Sequence, residues 1–369
     1  MKLSTFFLKH AIKGAYKLPF FELARRQQRF ISLIPFRPIR ASINVTHNCN
    51  SKCITCSMWK EKSRDELTTA ELGDTLSQLR ALGITDLSLT GGEPLLRSDL
   101  PAIVSKAREL KFARIHVVTN GLLLTQRRAE ELIESGATSF YISLNGTEEA
   151  HDMTRGIKGA YAKTVAAIET LVELRDSRLP HLEIGIEAIV MGSTLDQVIE
   201  VTNMCRRWNA GLALAPLDTA VALHEVTPSA LQTIEQQKLD QVIAELHKMK
   251  RRFPSLIHDS HASLEYVRNC FADRKRESLP CYLGYLVIYV AAHGEVTPGC
   301  YVLPPVGNLR EASLKEILES RAYKERLRDM FLKRCPGCAC DYILNLYAHV
   351  PFLLQDIAWR LRLKKEEGS

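Results

Sequence analysis

Residues 44–60, NVTHNCNSKCITCSMWK, place three cysteines, Cys49, Cys53 and Cys56, in the spacing C-x3-C-x2-C. Three thiolates this close on one loop can ligate three irons of a [4Fe–4S] cube and leave the fourth iron open to an exogenous ligand. Zinc is the rival occupant. It takes four ligands, commonly from paired C-x2-C units. No second pair lies nearby, and His47, two residues before Cys49, is a cramped fourth ligand. Residues 43–46 read as a short strand, so the loop leaves a strand end.

Working outward, β-rich runs at 41–46, 86–90, 115–119, 140–144, 182–190 and 212–215 alternate with helical patterns near 67–82, 98–110, 125–135, 160–177 and 195–209. Thr68 or Thr69 caps the first helix, and Ser98–Asp99 with Pro101 opens the second. Gly83, Gly136 and Gly211 stand where helices end before strands. Six strands alternating with helices predict a parallel sheet with right-handed crossovers, which a doubly wound sheet or a partial barrel satisfies equally. The second strand runs into Gly91-Gly92-Glu93-Pro94. Ligand sites of parallel α/β folds lie at carboxyl ends of strands. Two glycines there let a ligand approach the backbone, and Glu93 is placed to meet a cation such as an α-ammonium group.

The 369 residues suffice for one large α/β domain and a small appendage. A hydrophobic content of 46% and a charged content of 25% are those of a globular protein. Ten cysteines without a secretory signal point to metal binding in a reducing, cytoplasmic compartment rather than to disulfides. No run of eighteen apolar residues occurs, so no spanning helix is expected.

The net charge of +7 is concentrated at the start. Residues 1–40 hold nine basic side chains and one acid, Glu22, leaving the remainder near neutral. Lys9, Lys13 and Lys17 recur every fourth residue, opposite Leu3, Phe7, Ala11 and Leu18. Such a helix either packs on the domain with its lysines solvated or lies on an anionic membrane surface through residues 1–35. No nucleic-acid partner is expected.

Further along, a long helix is expected from 229 to 252, stopped by Pro254. Residues 286–291 and 294–297 read as a hairpin, and a helix begins at 313–320. Five cysteines return at Cys281, Cys300, Cys335, Cys338 and Cys340. Four of them can complete a second [4Fe–4S] cluster, with zinc again the rival. Cys205 and Cys270 stand alone and read as small buried residues. The run 342–363 is apolar and reads as packed helix.

Together, C-x3-C-x2-C at Cys49–Cys56 and GGEP at 91–94 on the next strand end resemble the radical S-adenosylmethionine (radical SAM) superfamily. The resemblance covers roughly residues 41–340 and implies a partial (β/α)6 TIM-type barrel with a small C-terminal SPASM/twitch-like extension. It implies that Cys49, Cys53 and Cys56 hold a [4Fe–4S] cluster. The open iron of that cluster chelates SAM, and an electron from a donor such as flavodoxin or ferredoxin cleaves SAM to a 5′-deoxyadenosyl radical that abstracts a substrate hydrogen.

Carried over by position, Gly91, Gly92, Glu93 and Pro94 match the motif that contacts the methionine ammonium. Asn120 belongs to a TNG turn. Ser143 and Asn145 belong to an SLNG run that resembles an SLDG motif, with Asn145 where Asp is usual. Arg155, in a run His151-Asp152…Arg155-Gly156, matches a partner for the SAM carboxylate. Thr55 stands where an aromatic residue is common. Cys281, Cys300, Cys335, Cys338 and Cys340 resemble the ligands of one auxiliary [4Fe–4S] cluster, fewer than the seven of a full SPASM domain.

The expected organisation is an arm at 1–40, a barrel core at 41–216, a helical connection at 217–280, an iron–sulfur domain at 281–340 and an apolar tail at 341–369. The expected activity is hydrogen abstraction followed by oxidation or bond formation. The expected substrate is lipid-linked, a sugar or another small molecule. A peptide-modifying enzyme is the alternative, weakened by the shortness of the arm. A non-catalytic zinc or iron–sulfur module is the alternative of another class.

Overall fold

The computed structural model describes residues 16–61, 63, 65–217, 233–271, 280–300 and 303–335. The predicted helix residues 229–232, Cys338 and Cys340, the tail at 341–369 and the first fifteen residues lie outside them.

Six βα repeats build the core. The strands are β1 (Arg40–Thr46), β2 (Asp86–Gly91), β3 (Arg114–Thr119), β4 (Ser139–Ser143), β5 (Glu183–Val190) and β6 (Gly211–Pro216). They pair in parallel in chain order. The helices are α1 (Leu18–Arg26), ahead of the barrel, then α2 (Thr69–Ala81), α3 (Leu100–Glu109), α4 (Gln126–Ser135), α5 (Glu148–Arg155), α6 (Ala160–Arg178) and α7 (Val198–Arg207). The first crossover starts where the sequence places a cap, while Asp99 ahead of α3 makes no capping hydrogen bond. The Thr68 hydroxyl accepts the Glu71 N–H while Glu71 accepts the Thr68 N–H, a reciprocal box. Gly83 and Gly136 end helices with positive φ. Before β6 that role falls to Asn209, at φ 48°, and not to Gly211. Gly211 is needed for space instead: a Cβ there would lie 1.9 Å from His258 Nε2.

Strand residues alternate between two environments. One set, such as Ile43, Leu87, Leu89 and Ile186, is buried with the apolar faces of the helices. The other, such as Ser42 and Asn44 or Tyr141 and Ser143, lines a central cavity of about 540 Å³.

The barrel is partial, and both of its edges are covered. On the β1 side, β7 (Val287–Val290) adds a seventh parallel strand, and β8 (Glu295–Thr297) and β9 (Gly307–Asn308) continue the same sheet antiparallel. The predicted hairpin is therefore present and joined to the core. On the β6 side, residues 256–258 run alongside the strand with one parallel bridge, Leu212 to Ile257. They lie between α8 (Gln236–Arg252) and α9 (His261–Phe271), and α9 was not evident in the sequence. A turn of helix, α10 (Leu283–Leu286), precedes β7, and α11 (Leu314–Glu319) and α12 (Arg321–Phe331) follow β9.

The described part of the arm is anchored to the body. Phe21 is buried and stacks on Tyr282 with ring centroids 4.2 Å apart. Lys17, expected in a solvated or membrane-facing stripe, is fully buried and donates to the carbonyls of Arg37 and Tyr285. Tyr16, Phe20 and Leu23 form the outward face instead. Among the described residues, no helix is long and apolar enough to cross a membrane.

Candidate active site

The cysteine loop leaves β1 and is tied down on two sides. On the first, Gly92 N–H donates to Thr46 O and Glu93 N–H to Asn48 O, each at 2.8 Å. The backbone of residues 46–48 comes so close that a Cβ on Gly91 would sit 2.1 Å from Thr46 O, and one on Gly92 2.2 Å from Asn48 O. The two glycines thus admit the cysteine loop itself. On the second side, Lys52 N–H donates to Arg155 O and Ile54 N–H to Thr154 O, binding the loop to the end of α5. Gly156 makes that contact possible, since its Cβ would meet Lys52 O at 2.5 Å.

Glu93 is fully buried and absent from the cavity wall, as is Pro94. Its Oε1 accepts from Thr119 Oγ1 at 2.7 Å and Leu95 N–H at 3.0 Å, and Oε2 accepts the Asn120 N–H at 2.8 Å. Burial raises its pKa against these three donors. The side chain predicted to meet a cation is instead a brace between the ends of β2 and β3, and Gly91 and Gly92 are the motif residues that reach the cavity. Asn120 extends the brace. Its Nδ2 donates to Asn50 Oδ1 at 2.8 Å and Ser51 Oγ at 3.0 Å, both in the cysteine loop.

Cys49, Cys53, Cys56, Asn120, Ser143, Asn145 and Arg155 all line the cavity. Backbone donors meet two of the sulfurs: Ser51 N–H to Cys49 and Met58 N–H to Cys56, each at 3.4 Å. Arg155 Nη1 lies 3.5 Å from Cys53 Sγ. Donors aimed at sulfur suit cluster-bound thiolates. Bare thiolates are disfavoured, because burial pushes the Cys49 thiol up to about 11 and Cys56 upward as well. The donor set thus fits an iron–sulfur cluster. Arg155 is buried and its Nε has no partner among the described residues, so the guanidinium retains capacity for an anion beside the cysteines.

The residues after β4 position this wall. The Asn145 N–H donates to His151 Nδ1 at 3.1 Å, and its Oδ1 accepts the Ile189 N–H at 2.9 Å. Burial and Arg155 push His151 down to about 3, which keeps the imidazole neutral and able to accept. Asp152 accepts from Gly159 N–H and Tyr161 N–H at the start of α6. The HD…RG run is therefore scaffold at His151 and Asp152 and cavity wall at Arg155.

The far cysteines sit on segments packed together. A Cβ on Gly284 would stand 3.0 Å from Pro298 Cβ and 2.7 Å from Leu327 Cδ2, and one on Gly299 would stand 3.0 Å from Leu283 O. Cys281 precedes the first of these segments, Cys300 follows Gly299, and Cys335 follows α12.

The sequence reading missed one cavity wall. His258, Asp259, Ser263 and Tyr266 come from the edge segment and α9, and Tyr289 from β7. Ser260 ahead of an apolar-periodic run was the available signal: its Oγ accepts the Ser263 N–H at 3.0 Å, as a helix cap does.

Comparison with known proteins agrees with this geometry. Residues 43–205 match the radical SAM superfamily, and residues 281–341 match an iron–sulfur cluster-binding domain, SPASM. The sporulation killing factor maturation protein SkfB of Bacillus subtilis is 27% identical over 290 residues, 78% of this chain and 66% of the relative. An AdoMet-dependent heme synthase of Methanosarcina barkeri is 27% identical over 319 residues, 80% of this chain and 89% of the relative. In fold, the chain is similar to Streptococcus suis SuiB bound to its precursor peptide SuiA. That TM-score is 0.64 at 16% identity, covering 89% of this chain and 77% of SuiB. The braced cysteine loop, the cavity beneath it and the cysteine-bearing extension thus belong to an enzyme of the radical SAM superfamily that uses SAM and a [4Fe–4S] cluster and carries a SPASM iron–sulfur domain.

Proposed function

We propose that the enzyme abstracts hydrogen from a polar substrate group held inside the barrel, and that the SPASM domain contributes one auxiliary [4Fe–4S] cluster to a following oxidation or bond formation. One observation carries the substrate reading: Arg40, His116, Tyr141, Glu187, His258 and Asp259 all line the cavity. A wall carrying this many polar side chains is matched by a ligand that offers hydrogen-bonding groups of its own, such as a sugar, a polyol or a polar headgroup.

SAM and the cluster supply, when bound, a carbon-centred radical able to take hydrogen from an unactivated C–H bond. The chain's own residues do the rest. Cys49, Cys53 and Cys56 hold the cluster. Arg155 offers its guanidinium to the carboxylate of SAM, and Gly91, Gly92, Asn120, Ser143 and Asn145 form the adjoining wall. Glu93 acts at one remove, by holding the ends of β2 and β3 together. Four of the five cysteines Cys281, Cys300, Cys335, Cys338 and Cys340 supply the auxiliary ligands.

A second reading is a peptide substrate that reaches a polar side chain into the same cavity. The names of two relatives favour it: SkfB is a maturation protein, and the PqqA peptide cyclase of Bradyrhizobium diazoefficiens is 29% identical over 170 residues. The test is anaerobic reconstitution with iron and sulfide, metal analysis, and 5′-deoxyadenosine formation from SAM under reduction. A protein that holds only zinc and leaves SAM intact overturns the proposal. Mass spectrometry of products formed in a native extract then separates small-molecule from peptide substrates.

We also propose that residues 1–35 rest on an anionic membrane surface. Phe20 and Leu23 are exposed on α1, as is Tyr16 just ahead of it, and Arg25 and Arg26 lie in its last turn, each paired with Glu22. Co-sedimentation with phosphatidylglycerol vesicles should fall with added salt and with F20S/L23S. No co-sedimentation of the full chain ends this idea.

A further inference from the structure

The segment that covers the open edge of the barrel also delivers a carboxyl group into the cavity. Leu212 N–H donates to Leu256 O and His258 N–H to Leu212 O, each at 2.7 Å, so residues 256–258 follow β6 as one rung of parallel sheet. His258 crosses over Gly211, where no side chain can fit. The next residue, Asp259, is 1% exposed and lines the cavity. Its Oδ2 accepts the Leu214 N–H at 2.8 Å, which anchors the carboxyl group to the middle of β6. Its Oδ1 is equally buried and has no hydrogen-bond partner among the described residues.

A carboxyl group serving only to brace the fold would have both oxygens engaged, as Glu93 does. Nearby groups do not complete Asp259. Lys250 Nζ donates to Ile257 O at 2.8 Å, and Ser260 and Ser263 bond to each other at 2.9 Å. Burial pushes the Asp259 carboxyl up to about 7, against the opposing pull of the Leu214 N–H and of the Lys250 charge. Leaving an acceptor dry and unpaired is unfavourable, and a ligand that donates to it relieves that penalty.

We infer that Asp259 Oδ1 is a substrate-binding acceptor, which takes an O–H or N–H hydrogen of the group held in the barrel and thereby selects a hydroxyl- or amine-bearing substrate. This rests on the cavity being the substrate site of a radical SAM enzyme. The anchoring of Oδ2 also dictates how a variant behaves. In Asp259→Asn the Leu214 N–H claims the amide oxygen, so the NH2 group turns to the cavity and the acceptor becomes a donor.

The test uses the reconstituted full-length enzyme with SAM, reductant and three perdeuterated probes: 1,2-propanediol, 1-amino-2-propanol and 1,2-dimethoxyethane. Deuterium carried into 5′-deoxyadenosine is read by mass spectrometry. The wild type should take deuterium from the diol or the amino alcohol about five- to tenfold more than from the ether. The diol and amino-alcohol arms tell hydroxyl from ammonium recognition. Asp259→Ala should lose the preference, and Asp259→Asn should turn it toward the ether. Total 5′-deoxyadenosine and iron content check that each variant is folded and loaded. If the wild type makes no 5′-deoxyadenosine, the functional proposal fails. If it makes 5′-deoxyadenosine with no deuterium from any probe, or all three proteins show the same pattern, the assignment of Asp259 fails alone.

Discussion

The two groups of cysteines reach their sites by opposite routes. Cys49, Cys53 and Cys56 occupy eight consecutive residues, and the protein's effort goes into holding that one loop against β2, β3 and α5. Cys281, Cys300 and Cys335 are far apart in sequence and come from the start of α10, the end of a hairpin and the end of α12. The first site is local chemistry with a tertiary brace. The second is a product of tertiary packing. Damage to the first should be specific, whereas damage to the second should mix chemistry with stability.

Five variants press on that contrast, and the largest effect is expected from Cys53→Ala. It should reduce 5′-deoxyadenosine formation to background while a folded protein with auxiliary iron is still recovered. Cys300→Ala should do the reverse, keeping SAM cleavage, losing about half of the iron if both clusters are cubes and abolishing product. Equal loss of cleavage in both would erase the distinction.

Gly92→Ala comes next. Its Cβ would overlap the Asn48 carbonyl, so the loop must shift. A loss of several kcal/mol of stability in denaturant melts is expected, together with failure to load the first cluster. Retention of the auxiliary cluster signal would sharpen the comparison, and unaltered loading of both would break it.

A smaller effect is expected for Glu93→Gln. The amide has one acceptor oxygen in place of two, so one of the three donors, from Thr119, Leu95 and Asn120, loses its partner at about 1–3 kcal/mol. SAM affinity should fall with little change in iron content. Lost iron without altered SAM binding would mean that the brace serves only the cluster.

Thr68→Ala is the mildest. It removes the cap of α2, whose hydroxyl holds only the start of that helix, and should lower stability by about 1 kcal/mol with both clusters and SAM cleavage unchanged. A selective loss of one cluster would show that α2 couples to it.

What the sequence made legible follows the same division. The six core strands stand within a residue or two of their expected positions, because alternation and capping are local signals. Cys49, Cys53 and Cys56 were legible from spacing, Gly91 and Gly92 from their place at a strand end, and Asn120, Ser143, Asn145 and Arg155 through the family resemblance; all of them line one cavity. The use of individual side chains was not legible. Whether Glu93 faces a ligand or braces two strands depends on where β3 places Thr119 and Asn120. Whether Lys17 is solvated depends on carbonyls at residues 37 and 285. Asp259 escaped notice because its partner strand lies 45 residues earlier and no pattern of period two or 3.6 marks a single extended rung.

The parallel pairing of β1 with β7 carries a consequence for how this protein can be taken apart. In a barrel that ended at residue 271, the first strand would present a bare row of amide and carbonyl groups, the kind of edge that templates aggregation. Here that row is filled from the SPASM region, with Arg40 opposite Val287 and Ile43 opposite Val290. The radical-generating and auxiliary halves are continuous through the hydrogen bonds of one sheet, so neither is a module that can be excised, exchanged or swung on a hinge without rebuilding the edge of the other.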